Sequence, residues 1–347
     1  MKTDRDLKVM IGLIAAVAVF GALHFASTIV APLALALFII AIVWPLQSRL
    51  AARLPSLVAL AITVFLTTAT VLLFASLMIG GFGHVARSVI ADAGRYQAIY
   101  DQAVQWLESH GISVVTLWAE HFNVAWLVGI ARQVNSVLYS TLSFCLITLV
   151  YVVLGLLEVE DMHAKARALS NAEISRVLVN GTKTTAAKFR KYMLVRTQMS
   201  LVTGLLIWAL AAISGLPLAA EWGVIGFVLN YIPFIGSFIA TLFPTLFAMA
   251  HFGSWQAVLG MFVGLNLIQF VVGSYIEPRV AGFALSVSPF IVLFSVFFWS
   301  FLWGLFGAFI GVPITIALVT FCAQHPSSRW ISDLIGGPGK AERVELQ

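Results

Sequence analysis

Apolar residues run in long blocks along this chain, and polar residues are gathered into a few stretches between them. The blocks cover roughly 9–26, 29–46, 57–82, 137–157, 197–215, 222–250, 255–276 and 287–323. An α-helix needs about 20 apolar residues to cross a hydrocarbon layer some 30 Å thick. In lipid every backbone N–H and C=O must be satisfied within the segment, so blocks of this length read as helices. The pattern predicts an all-α, polytopic membrane protein with about eight transmembrane segments.

Two blocks are too long for one ordinary crossing. As straight helices, 222–250 would measure about 43 Å and 287–323 about 55 Å. Both contain residues that interrupt helices: Pro233, Gly236 and Pro244 in the first, and Pro289, Gly304, Gly307, Gly311 and Pro313 in the second. Tilt absorbs a modest excess but not the second one. Broken or re-entrant helices are therefore expected in the C-terminal half, with an interruption within 300–313 or near Pro289. Freed backbone at membrane depth survives only where protein or a water-filled cavity satisfies it, so such breaks point to a pathway. A partial internal echo accompanies them. Trp222-Gly223-x-x-Gly226 recurs as Trp303-Gly304-x-x-Gly307, and Pro233-Phe234-Ile235 as Pro289-Phe290-Ile291, at different offsets.

The polar stretches divide the chain. Residues 1–82 hold the N-terminal transmembrane helices, and 83–136 form an extramembrane, periplasmic insert. Residues 137–157 form a further span, and 158–196 a basic cytoplasmic region. The C-terminal transmembrane core is 197–323, and 324–347 a cytoplasmic tail. In the insert, Tyr96, Ile99, Tyr100, Ala103, Val104 and Leu107 recur at helical spacing.

Composition agrees with this reading. The chain has 347 residues, 61% hydrophobic and 10% charged, against about 25% charged in soluble domains. The net charge of +5 does not indicate nucleic acid, because the basic residues collect in particular loops. Sixteen of the 20 Lys and Arg lie in the N-terminus, 47–55, 158–196 and the tail, and three in 83–136. That asymmetry fits cytoplasmic termini and an external 83–136 region. It requires 9–46 to be a hairpin turning near Ser27–Pro32. The basic start, Met1 to Lys8, reads as a retained signal anchor.

Polar groups inside apolar blocks are functional candidates. Asn266, Gln269, Gly273 and Glu277 are spaced to share one helical face. Pro278 ends that helix and Arg279 follows. Glu277 and Arg279 either pair within the membrane or mark its surface. Asn230-Tyr231-Ile232-Pro233-Phe234-Ile235-Gly236 combines an amide and a hydroxyl with helix-breaking residues. It reads either as a ligand or ion site or as a packed kink. The Gly304/Gly307/Gly311 spacing suits close helix contact, and Thr63, Thr67 and Thr70 form a small packing stripe. Cys145 and Cys322 sit in apolar runs and read as buried free thiols. No metal-ligand spacing, serine elbow, paired catalytic carboxylates or cofactor fingerprint is present. Gly181-Thr182-Lys183-Thr184 lacks the Gly-Lys adjacency of a phosphate loop. No enzyme, metal, cofactor or nucleic acid is expected.

The motifs Asn230-Tyr-Ile-Pro-Phe-Ile-Gly236, Ile276-Glu277-Pro278-Arg279-x-x-Gly282, Ser288-Pro289 and Trp299-x-x-x-Trp303-Gly304-x-x-Gly307 with Pro313 resemble the AI-2E (PerM, UPF0118) transporters. The resemblance covers nearly the whole chain. It implies a permease-like protein of about eight helices, assembled as a homo-oligomer, by family resemblance a pentamer. It carries over Asn230, Pro233, Gly236, Glu277, Pro278, Arg279 and Gly282 as motif residues. Some members are regarded as exporters of autoinducer-2, a quorum-sensing signal, and others as sodium–proton antiporters. Three functions follow as expectations. The leading one is secondary transport or facilitated export of a small polar solute such as autoinducer-2. The second is cation–proton antiport through Glu277. The third is a non-transporting membrane scaffold presenting 83–136 or 158–196.

Overall fold

A computed structural model describes residues 2–110, 124–281 and 287–336. Among these residues every regular element is a helix. The N-terminal helices are α1 (Lys2–Phe25), α2 (Ser27–Ala51) and α3 (Ser56–Ala91), followed by α4 (Ala93–Ser109), α5 (Val124–Arg167) and α6 (Ala172–Ile213). The C-terminal half holds α7 (Ala219–Leu229), α8 (Ile235–His251), α9 (Trp255–Phe270), a π-helical segment (Val271–Ile276), α10 (Glu277–Ala281), α11 (Pro289–Gln324) and α12 (Arg329–Ile335). Among the described residues six helices are long and apolar enough to cross a membrane, and 10–25, α7 and α8 are shorter apolar helices. The protein is a multi-pass, all-α membrane protein.

The expected helix in the insert is present as α4, whereas 111–123 lie outside the described residues. The turn expected near Ser27–Pro32 is absent there: those residues are helical within α2, and Ala26 alone separates α1 from α2. The basic region is helical apart from 168–171. α5 runs on to Arg167, and α6 restarts at Ala172. The Asn171 side chain accepts from the Glu173 and Ile174 N–H groups at 3.0 and 3.1 Å, satisfying donors that the helix start leaves open.

The chain folds into two compact units. The first comprises Met1–Thr68, Phe144–Met193 and Phe283–Gln347. At its centre is α11, which is not one helix. Trp303 (φ −131°, ψ 17°) and Gly304 (φ 62°, ψ −142°) leave helical geometry in mid-run. Thr315 Oγ1 donates to Ser295 Oγ at 2.8 Å, although 20 residues of straight helix would separate them by about 30 Å. The chain therefore folds back, and 289–303 and 304–324 are antiparallel arms of a hairpin turning at Trp303–Gly304. Gly304 occupies a backbone region that only glycine adopts without strain. A Cβ on Gly307 would overlap the Trp299 carbonyl oxygen, so glycine is required where the arms meet. Pro289 starts the first arm, after Ser288, whose hydroxyl caps the Ile291 N–H at 3.3 Å.

The turn is held by α1. The Trp303 indole N–H donates to the Leu23 carbonyl at 3.0 Å, and His24 Nδ1 lies 3.1 Å from the Leu302 carbonyl oxygen. In the same unit Pro45 lacks the N–H that would bond the Ala41 carbonyl within α2. Arg190 of α6 fills that gap, donating to Ala41 O at 3.1 Å. Lys188 donates to Thr320 Oγ1 at 3.0 Å.

The second unit comprises Ala69–Ser143 and Leu194–Gly282. Its core gathers Ile207, Ala211, Trp222, Ile225, Leu229, Ala240, Phe247, Met261 and Leu265. The block 222–250 is likewise split, into α7 and α8. Trp222 and Phe247 meet with ring centroids 5.3 Å apart, which makes these helices a second antiparallel pair. A Cβ on Gly236 would overlap the Leu229 carbonyl oxygen. The corresponding glycines of the two hairpins are thus Gly236 and Gly307. The sequence echo does not align them: Trp222-Gly223 lies within α7, whereas Trp303-Gly304 forms a turn.

Candidate functional site

The site lies in the second unit and starts from α6. Arg196, Ser200 and Thr203 fall on one stripe at helical spacing, with Thr197 beside it. Arg196 is 8% exposed, and Ser200 and Thr203 are fully buried. Polar groups buried in an apolar helix must find partners. Arg196 donates from Nη1 to Glu277 Oε2 at 3.1 Å. Asn230 donates through Nδ2 to Ser200 Oγ at 3.2 Å, and the Tyr231 hydroxyl donates to Thr197 Oγ1 at 3.0 Å.

Asn230 and Tyr231 are presented by the break between α7 and α8. Pro233 cannot donate to the Leu229 carbonyl four residues back. That carbonyl instead accepts from the Ile232 N–H at 2.9 Å. The turn is completed by Ile235 N–H to Pro233 O at 2.7 Å and Gly236 N–H to Ile232 O at 3.0 Å. Phe234 sits at φ 63°, a strained position for a side-chain-bearing residue, of a kind that clusters at functional sites.

Glu277 is placed by the π-helical segment. Pro278 has no N–H, and its ring disfavours a normal turn against the carbonyl of Ser274. The wider turn absorbs this, and the Glu277 N–H bonds back to Val272 O, five residues away. The wider spacing puts residues beyond it about 100° out of phase with α9. Asn266, Gln269, Gly273 and Glu277, expected to share one face, differ in exposure. Asn266 is exposed, and its amide donates to its own Phe262 carbonyl at 2.8 Å. Gly273 is exposed, while Gln269 and Glu277 are half-buried.

The expected Glu277–Arg279 pair is replaced by Glu277–Arg196. The side chains are 20% and 10% exposed respectively, so both charges are largely withdrawn from solvent. The Arg279 guanidinium lies 3.7 Å from the centroid of the Tyr275 ring, a cation–π contact. Gly282 lies outside the described residues, and Pro278 is placed only by its backbone. Pro289, Gly304, Gly307, Gly311 and Pro313 belong to the hairpin of the first unit.

Arg196, Thr197, Ser200 and Thr203 were not singled out by sequence reasoning, which took Arg196 as the end of a basic loop. The available signal was their i, i+1, i+4, i+7 spacing at the mouth of an apolar block. Two further polar atoms, Thr203 Oγ1 and Gln269 Nε2, are buried without a hydrogen-bond partner among the described residues. Arg196–Glu277 and the contact of Leu210 with Gly264 set α6 antiparallel to α9. Gln269 then falls within about one turn of Thr203 along the seam. The arrangement is a compensated ion pair flanked by hydroxyls and amides beside a broken helix.

The sequence pattern described as "AI-2E family transporter" matches residues 13–326. The chain is 27% identical over 340 residues to the AI-2 transport protein TqsA of Escherichia coli, spanning 97% of this chain and 98% of that one. It is 26% identical over 356 residues to a putative transport protein of Haemophilus influenzae, spanning 97% and 98%. A putative transport protein of Borreliella burgdorferi is 29% identical over 210 residues, 60% of this chain and 58% of that one.

Proposed function

This chain belongs to the AI-2E family of transporters, and from that premise we propose that it is an inner-membrane secondary transporter or facilitator exporting a small polar solute. Autoinducer-2 is the first candidate, from the name of the Escherichia coli relative. One observation carries the reading: a buried Arg196–Glu277 pair set among Thr197, Ser200, Asn230 and Tyr231, beside a break in a membrane helix. Because Arg196 compensates Glu277, the pair is electrically neutral and suits an uncharged, hydrogen-bonding cargo. A specific group supports a second reading, cation–proton antiport. Glu277 is the carboxylate at this seam, and antiport requires sodium or a proton to displace Arg196 from it.

The chain works with both termini cytoplasmic and 83–136 outside, as the basic-residue asymmetry favours. Its partners are the bilayer and other copies of itself. Asn266 supports self-association, because it is a polar side chain exposed on an apolar helix beside Phe262, Val263, Leu267 and Phe270.

Proteoliposomes loaded with a pH-sensitive dye, or with autoinducer-2, separate the readings. Export of the solute without a pH signal supports the first. Sodium- or potassium-driven pH change that disappears in Glu277→Gln supports the second. Neither flux, in liposomes holding folded protein, overturns both.

A further inference from the structure

Along the seam between α6 and α9, Thr203 lies seven residues from Arg196 and seven from Leu210, so the three share one stripe of α6. Arg196 meets Glu277 and Leu210 meets Gly264 at the two ends of that stripe. Between those ends the helices pack through two apolar clusters. Val195, Met199 and Val272 make one, with Ile268 against it. Ile207, Met261 and Leu265 belong to the other, which Ile268 also touches. Thr203 stands between Met199 and Ile207, one turn from each, and Gln269 stands between Leu265 and Val272. A hydroxyl and an amide therefore fall where the two apolar clusters meet.

Their hydrogen bonding sets them apart. Thr63, Thr67, Thr148 and Thr320 each return the hydroxyl to the carbonyl four residues back in their own helix. Met199 offers Thr203 the same kind of carbonyl. Thr203 is fully buried, yet its hydroxyl does not take that bond. Gln269 Nε2 is buried as well. Neither atom has a partner among the described residues, so they do not bond each other. The polar groups nearer the helix break are matched: Arg196 with Glu277, Ser200 with Asn230, and Thr197 with Tyr231. A buried donor left unmatched loses its hydration without return, so two in one seam call for a shared partner. That partner must be neutral. No charged residue lies in 197–213 or 255–276, and a charge seated there would be buried without a counter-charge. It must also accept from the amide N–H and exchange a bond with the threonine hydroxyl. A hydroxyl oxygen does both.

We propose that Thr203 and Gln269 form a seat for one hydroxyl oxygen, held between α6 and α9 about two turns beyond the ion pair. At rest the oxygen is that of a water molecule, for which two polar partners suffice. The same geometry accepts the hydroxyl of a neutral solute in the water's place. As a place where cargo is held, the seat rests on the transport reading above; as a hydrated seat in an apolar seam, it does not.

The test is radiolytic hydroxyl-radical footprinting of the full-length protein in nanodiscs. Radicals formed from internal water oxidise the side chains beside it. Met199 and Met261 are 4% and 2% exposed, so both are shielded from bulk solvent. Met199 lies one turn from Thr203, whereas Met261 lies two turns from Gln269, inside the second cluster. In wild type Met199 is expected to oxidise several-fold faster than Met261. The double variant Thr203→Val, Gln269→Leu keeps the bulk of both side chains and removes both polar groups, and should lose that excess. Autoinducer-2 added to wild type separates the two sources of the hydroxyl. A fall in Met199 oxidation assigns the seat to solute as well as water, and an unchanged rate leaves water as its occupant. Equal, slow oxidation of the two methionines in wild type overturns the proposal, whether or not the variant folds. So does an excess that survives in the double variant. Flux through liposomes is a separate measurement, so the seat and the transport reading can fail independently.

Discussion

Arg196 and Glu277 are 81 positions apart in sequence, and each is an isolated charge until the other is placed beside it. Removing Arg196 leaves a largely buried carboxylate without its cation, so Arg196→Ala is expected to cost about 3–5 kcal/mol. Glu277→Gln keeps a hydrogen-bond acceptor for Arg196 and is expected to cost about 1–3 kcal/mol. Arg279→Ala touches neither partner and should be nearly silent. Thermal unfolding in one detergent ranks the three. Tyr96, in the insert, gives a second expectation. Its phenol is pushed up to about 12, first by burial, then by Asp92, against the opposing effect of Arg95. The fold therefore favours the neutral phenol, and stability is lost as pH climbs from about 10 toward 12. Tyr96→Phe should soften that alkaline loss in a denaturation curve. At neutral pH it should cost little, because the buried hydroxyl has no hydrogen-bond partner among the described residues. At this scale the sequence identified Asn230, Tyr231 and Glu277 as polar groups in apolar surroundings. It could not identify the cation that Glu277 meets, since pairing across 81 residues is set by helix packing. Proximity in sequence pointed to Arg279 instead.

The two long blocks were legible as broken helices from length and breakers alone, and the second break falls at Trp303–Gly304, inside the expected window. That the breaks are hairpin turns became visible only from contacts between arms. The π-helical segment was not legible, because periodicity arguments presume 3.6 residues per turn and Pro278 shifts the register locally. The hairpins lead to a graded expectation for glycine. Gly236→Ala and Gly307→Ala drive a methyl group into a backbone carbonyl of the opposite arm. Each should cost about 1–3 kcal/mol or more, since backbone cannot step aside as a side chain can. Gly304→Ala has open space around its Cβ but a φ of 62°, so its cost, about 1–3 kcal/mol, is conformational. Gly12→Ala has neither problem and serves as the neutral control. Midpoints from a thermal-shift series would separate the four.

For the whole molecule, the class was readable from composition and blocks, because a bilayer imposes the length and apolarity of its spans directly. Orientation rests on the basic-residue count. Single cysteines at Asp101 and Glu108, both exposed on α4, are expected to label from outside intact cells. Cysteines at Lys165 and Lys183, exposed on α5 and α6, should label only after the membrane is opened. The reverse pattern would invert the topology. The bond from Arg190 to the Ala41 carbonyl has a consequence in time. Pro45 leaves that carbonyl open as soon as α2 exists, and an unmet backbone group in lipid costs several kcal/mol. The group that closes it lies 149 residues further along the chain, so the ribosome supplies it late. Through most of synthesis α2 is an incomplete span, dependent on water, lipid headgroups or an insertase to cover one oxygen. Nascent chains stalled before residue 190 should therefore hold α2 less firmly than chains stalled beyond α6. A force-sensitive arrest sequence would register the difference, and Pro45→Ala, which returns the missing N–H, should erase it.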